Sequence, residues 1–154
     1  LLIFEDQLTI KYQIQEMLRI EKIFEAAGIQ EELDAYNPLI PDGDNWKCTM
    51  LIQYPDVAER KQRLSELLGI EDKIWAQIGE GEKIWPIADE DLDRSKDDKT
   101  AAVHFMRYQL TEHDRVALQA GAPIRFGVEH LAYPAGAVTV DDGTRASLIG
   151  DLSD

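Results

Sequence analysis

Apolar and polar residues alternate along several segments of the chain, a pattern typical of half-buried β-strands. The clearest case is 46–54, where every even-numbered residue is apolar. Residues 101–110 show the same period, which places His104 on the face of Met106 and Tyr108. Shorter strands are predicted at 1–4, 73–78, 83–88 and 123–129, whereas 133–143 is predicted to be irregular.

Helices are predicted from capping residues and from apolar positions three or four residues apart. The longest covers 7–27, with Asp6 as its N-cap. We expect it to end at Gly28, because glycine readily adopts the left-handed conformation of a C′ residue. A short second helix follows at 30–36. Three more are predicted, after the caps Asp56 and Thr111 and, near the C-terminus, over 145–152 with Thr144 as its cap.

Strands that alternate, instead of forming continuous apolar runs, favour an antiparallel or mixed sheet with helices packed on one face. We therefore predict one α+β domain over 1–154, in which a long N-terminal helix and shorter helices pack on a sheet of about five to six strands. Leu1 falls inside the first predicted strand and is not Met. We therefore expect a short N-terminal segment of the full-length protein to be missing from this sequence.

The composition of the chain excludes several classes of function. The 154 residues include 30 Asp and Glu against 16 Lys and Arg, a formal net charge of −14 at pH 7. Nucleic-acid binding requires a basic surface, so we expect this domain to bind no nucleic acid. No apolar run exceeds four residues and no secretory signal is visible, so we expect no membrane association and a cytoplasmic location. A single cysteine, Cys48, excludes an internal disulfide and a cysteine zinc site.

The first predicted helix carries two glutamates among its apolar positions. At 100° per residue, Glu21 lies within the apolar arc that runs from Ile10 to Phe24, and Glu16 lies on its flank. A carboxylate buried there needs a partner or a raised pKa. Two interpretations of these glutamates stay open. They are a catalytic acid, a catalytic base or a metal ligand, or they are structural residues held in ion pairs.

His104 is the best partner for Glu21, because its predicted strand turns it towards the core. The two side chains are our candidates for a metal site or an acid–base pair, and the alternative is a hydrogen-bonded core histidine. Glu16 and Glu21 are separated by about 140° around a helix, so they cannot easily bind one ion together. No cofactor is indicated.

Two loops carry further candidates. The loop at 36–45 holds two prolines and places apolar residues between polar ends, which indicates a binding loop or a rigid connector. Its candidate binding residues are Tyr36, Asn37, Asp42 and Asp44. Residues 89–93 begin like an EF-hand, but Arg94 and Thr100 replace the required glycine and glutamate, which excludes an EF-hand. We expect a solvated acidic loop there, and the alternative is a looser contact with Ca²⁺ or Mg²⁺.

Five segments of the chain are similar to those of a known family: FED (4–6), YQIQEMLR (12–19), GIQEELDAYNPLIPDG (28–43), IADEDL (87–92) and VHF (103–105). Through these segments the chain resembles an uncharacterised bacterial family, domain of unknown function three thousand five hundred and one. The family has no assigned activity. Its genes often lie beside rubrerythrin-like and iron–sulfur oxidoreductase genes, which implies a role near peroxide or electron-transfer metabolism. Its members tend to carry a basic segment before the FED motif, and usually alanine in place of Cys48.

Three hypotheses for function follow. The first is a non-enzymatic accessory or binding protein for a redox partner, whose acidic surface steers it towards a basic patch. The second is a metal-dependent or acid–base enzyme that uses Glu16, Glu21 and His104. The third is a structural homo-oligomer, with Trp75 and Trp85 of a predicted hairpin at the interface.

Overall fold

The strands form two antiparallel sheets, where we predicted a single sheet. The computed structural model describes residues 1–153, and in that range it contains seven strands: β1 (Leu2–Glu5), β2 (Asn45–Leu51), β3 (Ile74–Ile78), β4 (Ile87–Ala88), β5 (Val103–Gln109), β6 (Ile124–His130) and β7 (Tyr133–Thr139). The four-stranded sheet has the order β1-β2-β5-β4, and the three-stranded sheet has the order β3-β6-β7. The α+β class is as predicted. We expected an antiparallel or mixed sheet, and all of the strand pairs in that range are antiparallel.

The chain changes sheets at the predicted tryptophan hairpin. Only one bridge of that hairpin forms, in which Ala76 and Ile84 exchange hydrogen bonds of 2.9 and 2.6 Å. Pro86 follows and has no N–H group to extend the pairing. The chain then enters β4, which pairs with β5 in the other sheet.

The core lies between the two sheets. Phe126 of β6 packs against rings of the four-stranded sheet, with centroid distances of 5.2 Å to Phe4 and 5.5 Å to Tyr108. The Tyr108 hydroxyl also donates a 2.8 Å hydrogen bond to the carbonyl of Ile74 in the opposite sheet. The predicted alternation of the second strand is confirmed, since Trp46, Cys48 and Met50 are all buried.

Residues 133–139 form an edge strand, although the sequence predicted irregular structure there. They pair with β6, and one additional residue on β7 forms a bulge between the pairs Phe126–Val138 and Val128–Ala135. Pro134 is tolerated because an edge strand has one side without pairing partners. The small residues of β7 therefore gave no alternating pattern, and this strand forms because it pairs with β6.

Five helices surround the sheets in the described range: α1 (Gln7–Ile20), α2 (Ala26–Tyr36), α3 (Val57–Glu66), α4 (Glu112–Gln119) and α5 (Asp142–Gly150). None of them is both long and apolar enough to cross a membrane. The predicted Thr111 cap is confirmed, and Asp114 completes its capping box. The predicted Thr144 cap is wrong, because the Asp141 side chain caps α5 by accepting a 2.7 Å hydrogen bond from the Thr144 N–H.

The prediction of one long N-terminal helix is wrong, since the structure has two helices there with a turn between them. Lys22 adopts the left-handed conformation at φ 54°, and the Ile23 N–H donates a 2.9 Å hydrogen bond to the Leu18 carbonyl. This is a Schellman ending at Lys22, six residues before the glycine that we expected to end the helix. Gly28 lies inside α2, where a Cβ atom would come within 2.6 Å of Ile23 Cγ2.

Asp151, which caps the C-terminus of α5, gives a prediction about pH. Burial, and next the charge of Asp6, raise the pKa of its carboxyl from 3.8 to about 6. The folded state therefore holds this proton more tightly than the unfolded chain. Ionisation of the group destabilises the fold increasingly as the pH rises from 3.8 to about 6, and by a constant amount above that range. We expect Asp151→Asn to raise the free energy of unfolding at about pH 7.5, and the gain to shrink towards about pH 5. Urea denaturation at both pH values measures it, and a gain that stays constant or grows at the lower pH contradicts the assignment.

Candidate functional site

The two candidate glutamates of the first helix are not in the core. Glu21 is exposed and caps the C-terminus of α1, so the expectation that it faces inward is wrong. Glu16 forms a 2.8 Å ion pair with Arg19, and this hydrogen bond holds the pKa of Glu16 below its ordinary value. In the described part of the chain, neither glutamate is a hydrogen-bond or ion-pair partner of His104. The helix turns at Lys22, so the apolar arc used for the prediction does not continue to Phe24, which is 83% exposed.

His104 does face the core, as predicted, and it is completely buried on β5. Its Nδ1 lies 2.5 Å from Oδ2 of Asp89. Its Nε2 lies 2.7 Å from the Thr100 hydroxyl oxygen and 3.1 Å from the Ala101 carbonyl oxygen. The partners of His104 are thus residues of the 89–101 segment, and not of the first helix.

The hydrogen-bond partners determine where protons lie around His104. A carbonyl oxygen only accepts, so Nε2 carries the hydrogen that it shares between Ala101 and Thr100. One further proton lies between Nδ1 and Oδ2 of Asp89, since two lone pairs would repel at 2.5 Å. His104 and Asp89 together are therefore neutral, whichever atom carries that proton.

Asp89 is held in place from three directions, although we predicted a solvated loop there. Its side chain is 9% exposed and accepts hydrogen bonds from the Phe105 N–H at 3.0 Å and from Arg94 at 3.1 Å, in addition to its contact with His104. Its backbone has φ 52°, a conformation that few residues other than glycine adopt. Arg94 in turn lies over the Phe105 ring, 4.6 Å from its centroid.

Glu71 completes the cluster and was missed in the sequence. It lies in a 3₁₀ turn, Ile70–Asp72, and it is 7% exposed. Its carboxylate accepts hydrogen bonds from the hydroxyl groups of Ser95 at 2.5 Å and Thr100 at 3.1 Å. Oε2 of Glu71 lies 3.9 Å from Nε2 of His104. We call Glu71, Asp89, Ser95, Thr100 and His104 the histidine cluster.

The order of groups Thr100, His104 and Asp89 matches that of a catalytic triad, but its geometry does not support nucleophilic catalysis. A triad nucleophile must reach the substrate. Thr100 is 1% exposed and its hydroxyl already donates to Glu71. Cys48 offers no alternative, since burial raises the pKa of its thiol to about 12. An inert thiol is what its position on the buried face of β2 predicted.

The loop at 36–45 is anchored to the body of the protein. Asp42 accepts hydrogen bonds from Asn45 and Lys47, both at 2.9 Å, and these contacts hold its pKa below its ordinary value. The Asp44 carbonyl accepts from the Leu110 N–H at 3.0 Å. These contacts favour the connector interpretation. A binding role for Tyr36, Asn37, Asp42 and Asp44 stays a prediction.

Of the two tryptophans that we predicted at an interface between copies of the chain, only Trp85 is exposed. Trp75 is buried, with 6% of its surface exposed, whereas Trp85 is 42% exposed. Lys83 lies over the Trp75 ring, 4.8 Å from its centroid. Trp75 is therefore not available to a second copy of the chain, and homo-oligomerisation stays a prediction.

A cavity of about 670 Å³ opens between the two sheets, beside the core. Met50, Ile70 and Phe126 form its buried wall. Gly127 and Ala135 of the three-stranded sheet also line it. The sequence contained no signal for this cavity, because its volume depends on how far apart the two sheets lie.

The histidine cluster and the cavity lie next to each other in the fold. Met50, which lines the cavity, is the cross-strand partner of His104 in the β2–β5 pair. Ile70, which also lines it, directly precedes Glu71. The structure therefore offers two candidate sites, a polar one that is closed and an apolar one that is open to solvent.

Comparison with known proteins gives a family and a related structure. The model of a family described as "Protein of unknown function (DUF3501)" matches residues 1–152. A crystal structure of a novel protein of unknown function from Burkholderia pseudomallei K96243 is 49% identical in sequence, with a TM-score of 0.93. The match covers 99% of this chain and 79% of that chain. No curated protein matches the chain.

Proposed function

Because the chain belongs to the DUF3501 family, whose description assigns no activity, we propose a function from geometry alone: the protein binds a small, uncharged, apolar molecule between its two sheets. One observation carries this proposal, the cavity of about 670 Å³. It develops the first of the three hypotheses, a non-enzymatic binding protein. The redox partner of that hypothesis remains a separate prediction.

The size and lining of the cavity suit a small molecule. Ligand sites in proteins typically have volumes of roughly 300–1,000 Å³ and mostly apolar walls with a few polar groups. Here the buried wall is apolar, and the polar side chains of Gln53 and Tyr133 lie on the solvent side. A ligand would place its apolar body against Phe126 and a single polar group near the opening.

Charge favours an uncharged ligand. No side chain that lines the cavity is ionised at neutral pH, so an anionic headgroup would find neither lysine nor arginine there. The net charge of −14 also repels anions from the surface as a whole. Fatty acids and phosphorylated lipids are therefore expected to bind worse than neutral molecules of similar size.

Filling the cavity is the direct test. Ala135 lines the cavity from β7, so a phenyl ring at this position occupies the space of the ligand. We expect Ala135→Phe to weaken binding of the neutral dye Nile red by about tenfold or more, equivalent to about 1.4 kcal/mol. Fluorescence titration measures the affinity, and 1-decanol should compete with the dye better than decanoate.

Ala137→Phe is the matched control. Ala137 lies on the same strand and is exposed, but it does not line the cavity. This variant should bind Nile red like the wild type, and circular dichroism should show both variants folded. Equal binding by Ala135→Phe and Ala137→Phe, or no saturable binding by the wild type, contradicts the proposed function.

A further inference from the structure

We propose that the histidine cluster is a binding site for one divalent transition-metal ion, with His104, Glu71 and Thr100 as its protein ligands. The site is independent of the cavity and of the ligand proposed for it. The family description names no metal.

The ligand atoms already surround a common point. The imidazole Nε2 of His104 lies 2.7 Å from the Thr100 hydroxyl and 3.9 Å from Oε2 of Glu71, and these two oxygens are 3.1 Å apart. Atoms bound to one metal at about 2.0–2.2 Å are separated by distances of this order. The Ala101 carbonyl oxygen, 3.1 Å from Nε2, borders the same point.

The outer contacts match those that orient ligands in metal sites. A histidine that binds a metal through one nitrogen usually donates its other N–H to a carboxylate, and a ligating carboxylate is itself hydrogen-bonded. Asp89 provides the first contact, at Nδ1 of His104. Ser95 provides the second, at Oε1 of Glu71. Arg94 and the Phe105 N–H keep Asp89 in position for this role.

The charge at the site favours a cation. Glu71 is nine-tenths buried, and within the described residues no lysine or arginine nitrogen lies within 4.0 Å of its carboxylate. Asp89 and His104 are neutral together, so the buried charge of Glu71 lacks a counter-charge that a metal ion would supply.

The donor set indicates the class of ion. One imidazole nitrogen with oxygen ligands suits Zn²⁺, Mn²⁺ or Fe²⁺ better than Ca²⁺, which prefers oxygen ligands alone. The ion would take the place of the hydrogen on Nε2 of His104. Binding therefore releases one proton from the histidine to solvent for each ion bound, and affinity falls at low pH.

Zinc titration tests the site in the whole chain. The chain has three histidines, so the double variant His113→Ala/His130→Ala keeps His104 as its single imidazole. Isothermal titration with ZnCl₂, in two buffers of different ionisation enthalpy, should give one zinc per chain and about one proton released. The nitrogen-15 NMR spectrum of the imidazole should show Nε2 losing its hydrogen on zinc addition.

A glutamine variant separates this site from adventitious binding. Glu71→Gln keeps the size of the side chain and removes its charge, and we expect it to weaken zinc binding at least about a hundredfold. Glu82→Gln is the matched control, since Glu82 is exposed in the turn between β3 and β4. Ala135→Phe should leave zinc affinity unchanged, which distinguishes failure of this site from failure of the cavity.

Two outcomes overturn the proposal. One is a double variant whose His104 resonances do not change at saturating zinc. The other is equal zinc affinity of Glu71→Gln and Glu82→Gln. If Glu71→Gln does not fold, the imidazole spectrum of the double variant decides alone, since it requires no change in the cluster.

Discussion

His104→Ala is expected to lower the free energy of unfolding by about 3–5 kcal/mol, the cost typical of removing one partner from a buried ion pair. The imidazole is fully buried and contacts Asp89, Thr100 and Ala101. Its removal leaves Oδ2 of Asp89 without its closest partner and opens a void beside Met50. Asp89 retains Arg94 and the Phe105 N–H, which limits the loss.

Urea denaturation of metal-free protein at pH 7.5 measures this loss from the shift of the midpoint. His113→Ala is the control, since His113 is exposed in the first turn of α4 and its replacement should change the stability by less than about 0.5 kcal/mol. A loss below about 1 kcal/mol for His104→Ala contradicts the expectation that the buried contacts of His104 with Asp89 and Thr100 stabilise the fold.

Gly127→Ala should cost about 1–3 kcal/mol, which is large for the addition of one methyl group. A Cβ atom at Gly127 would lie 2.6 Å from Cε2 and 2.9 Å from Cη2 of Trp75, on the adjacent strand. Such distances force the indole ring to move, and Trp75 has little room to do so because only 6% of its surface is exposed. The same ring explains why β6 has glycine in the middle of a strand.

Gly136→Ala is the matched control in the same sheet. No atom lies within 4 Å of a Cβ at Gly136, and its φ is not in the left-handed region. We expect its stability to equal that of the wild type within about 0.5 kcal/mol. If both alanine variants unfold at the same urea concentration, the close approach of Trp75 is not the reason that glycine is needed at position 127.

Local sequence patterns predicted the structure correctly where it depends on residues that are close together along the chain. The alternation at 46–54 predicted the buried face of β2, and Thr111 predicted the start of α4. The glycine signal failed at Gly28, because α1 ends at Lys22, where the sequence carried no signal for a helix end. The chain turns there and α2 packs back on α1.

The orientation of His104 followed from its strand, but its partners did not. Thr100 and Glu71 are 29 residues apart, and Asp89 belongs to an acidic segment in which the side chains of Asp89 and Asp91 differ in exposure, at 9% and 60%. No periodicity distinguishes the buried aspartate from the exposed one. The polar residues Ser95 and Thr100 within this segment were the available signal, since hydroxyl groups among carboxylates can satisfy a buried charge.

The sequence by itself determined the α+β class, the buried faces of β2 and β5 and the inward position of His104. These depend on period-two patterns and caps, which act over a few residues. Only the tertiary structure decided that there are two sheets, that Glu71 and Asp89 meet His104, and that a cavity remains between the sheets. Pairing of distant segments and the space between packed layers depend on the whole set of contacts, so no local pattern encodes them.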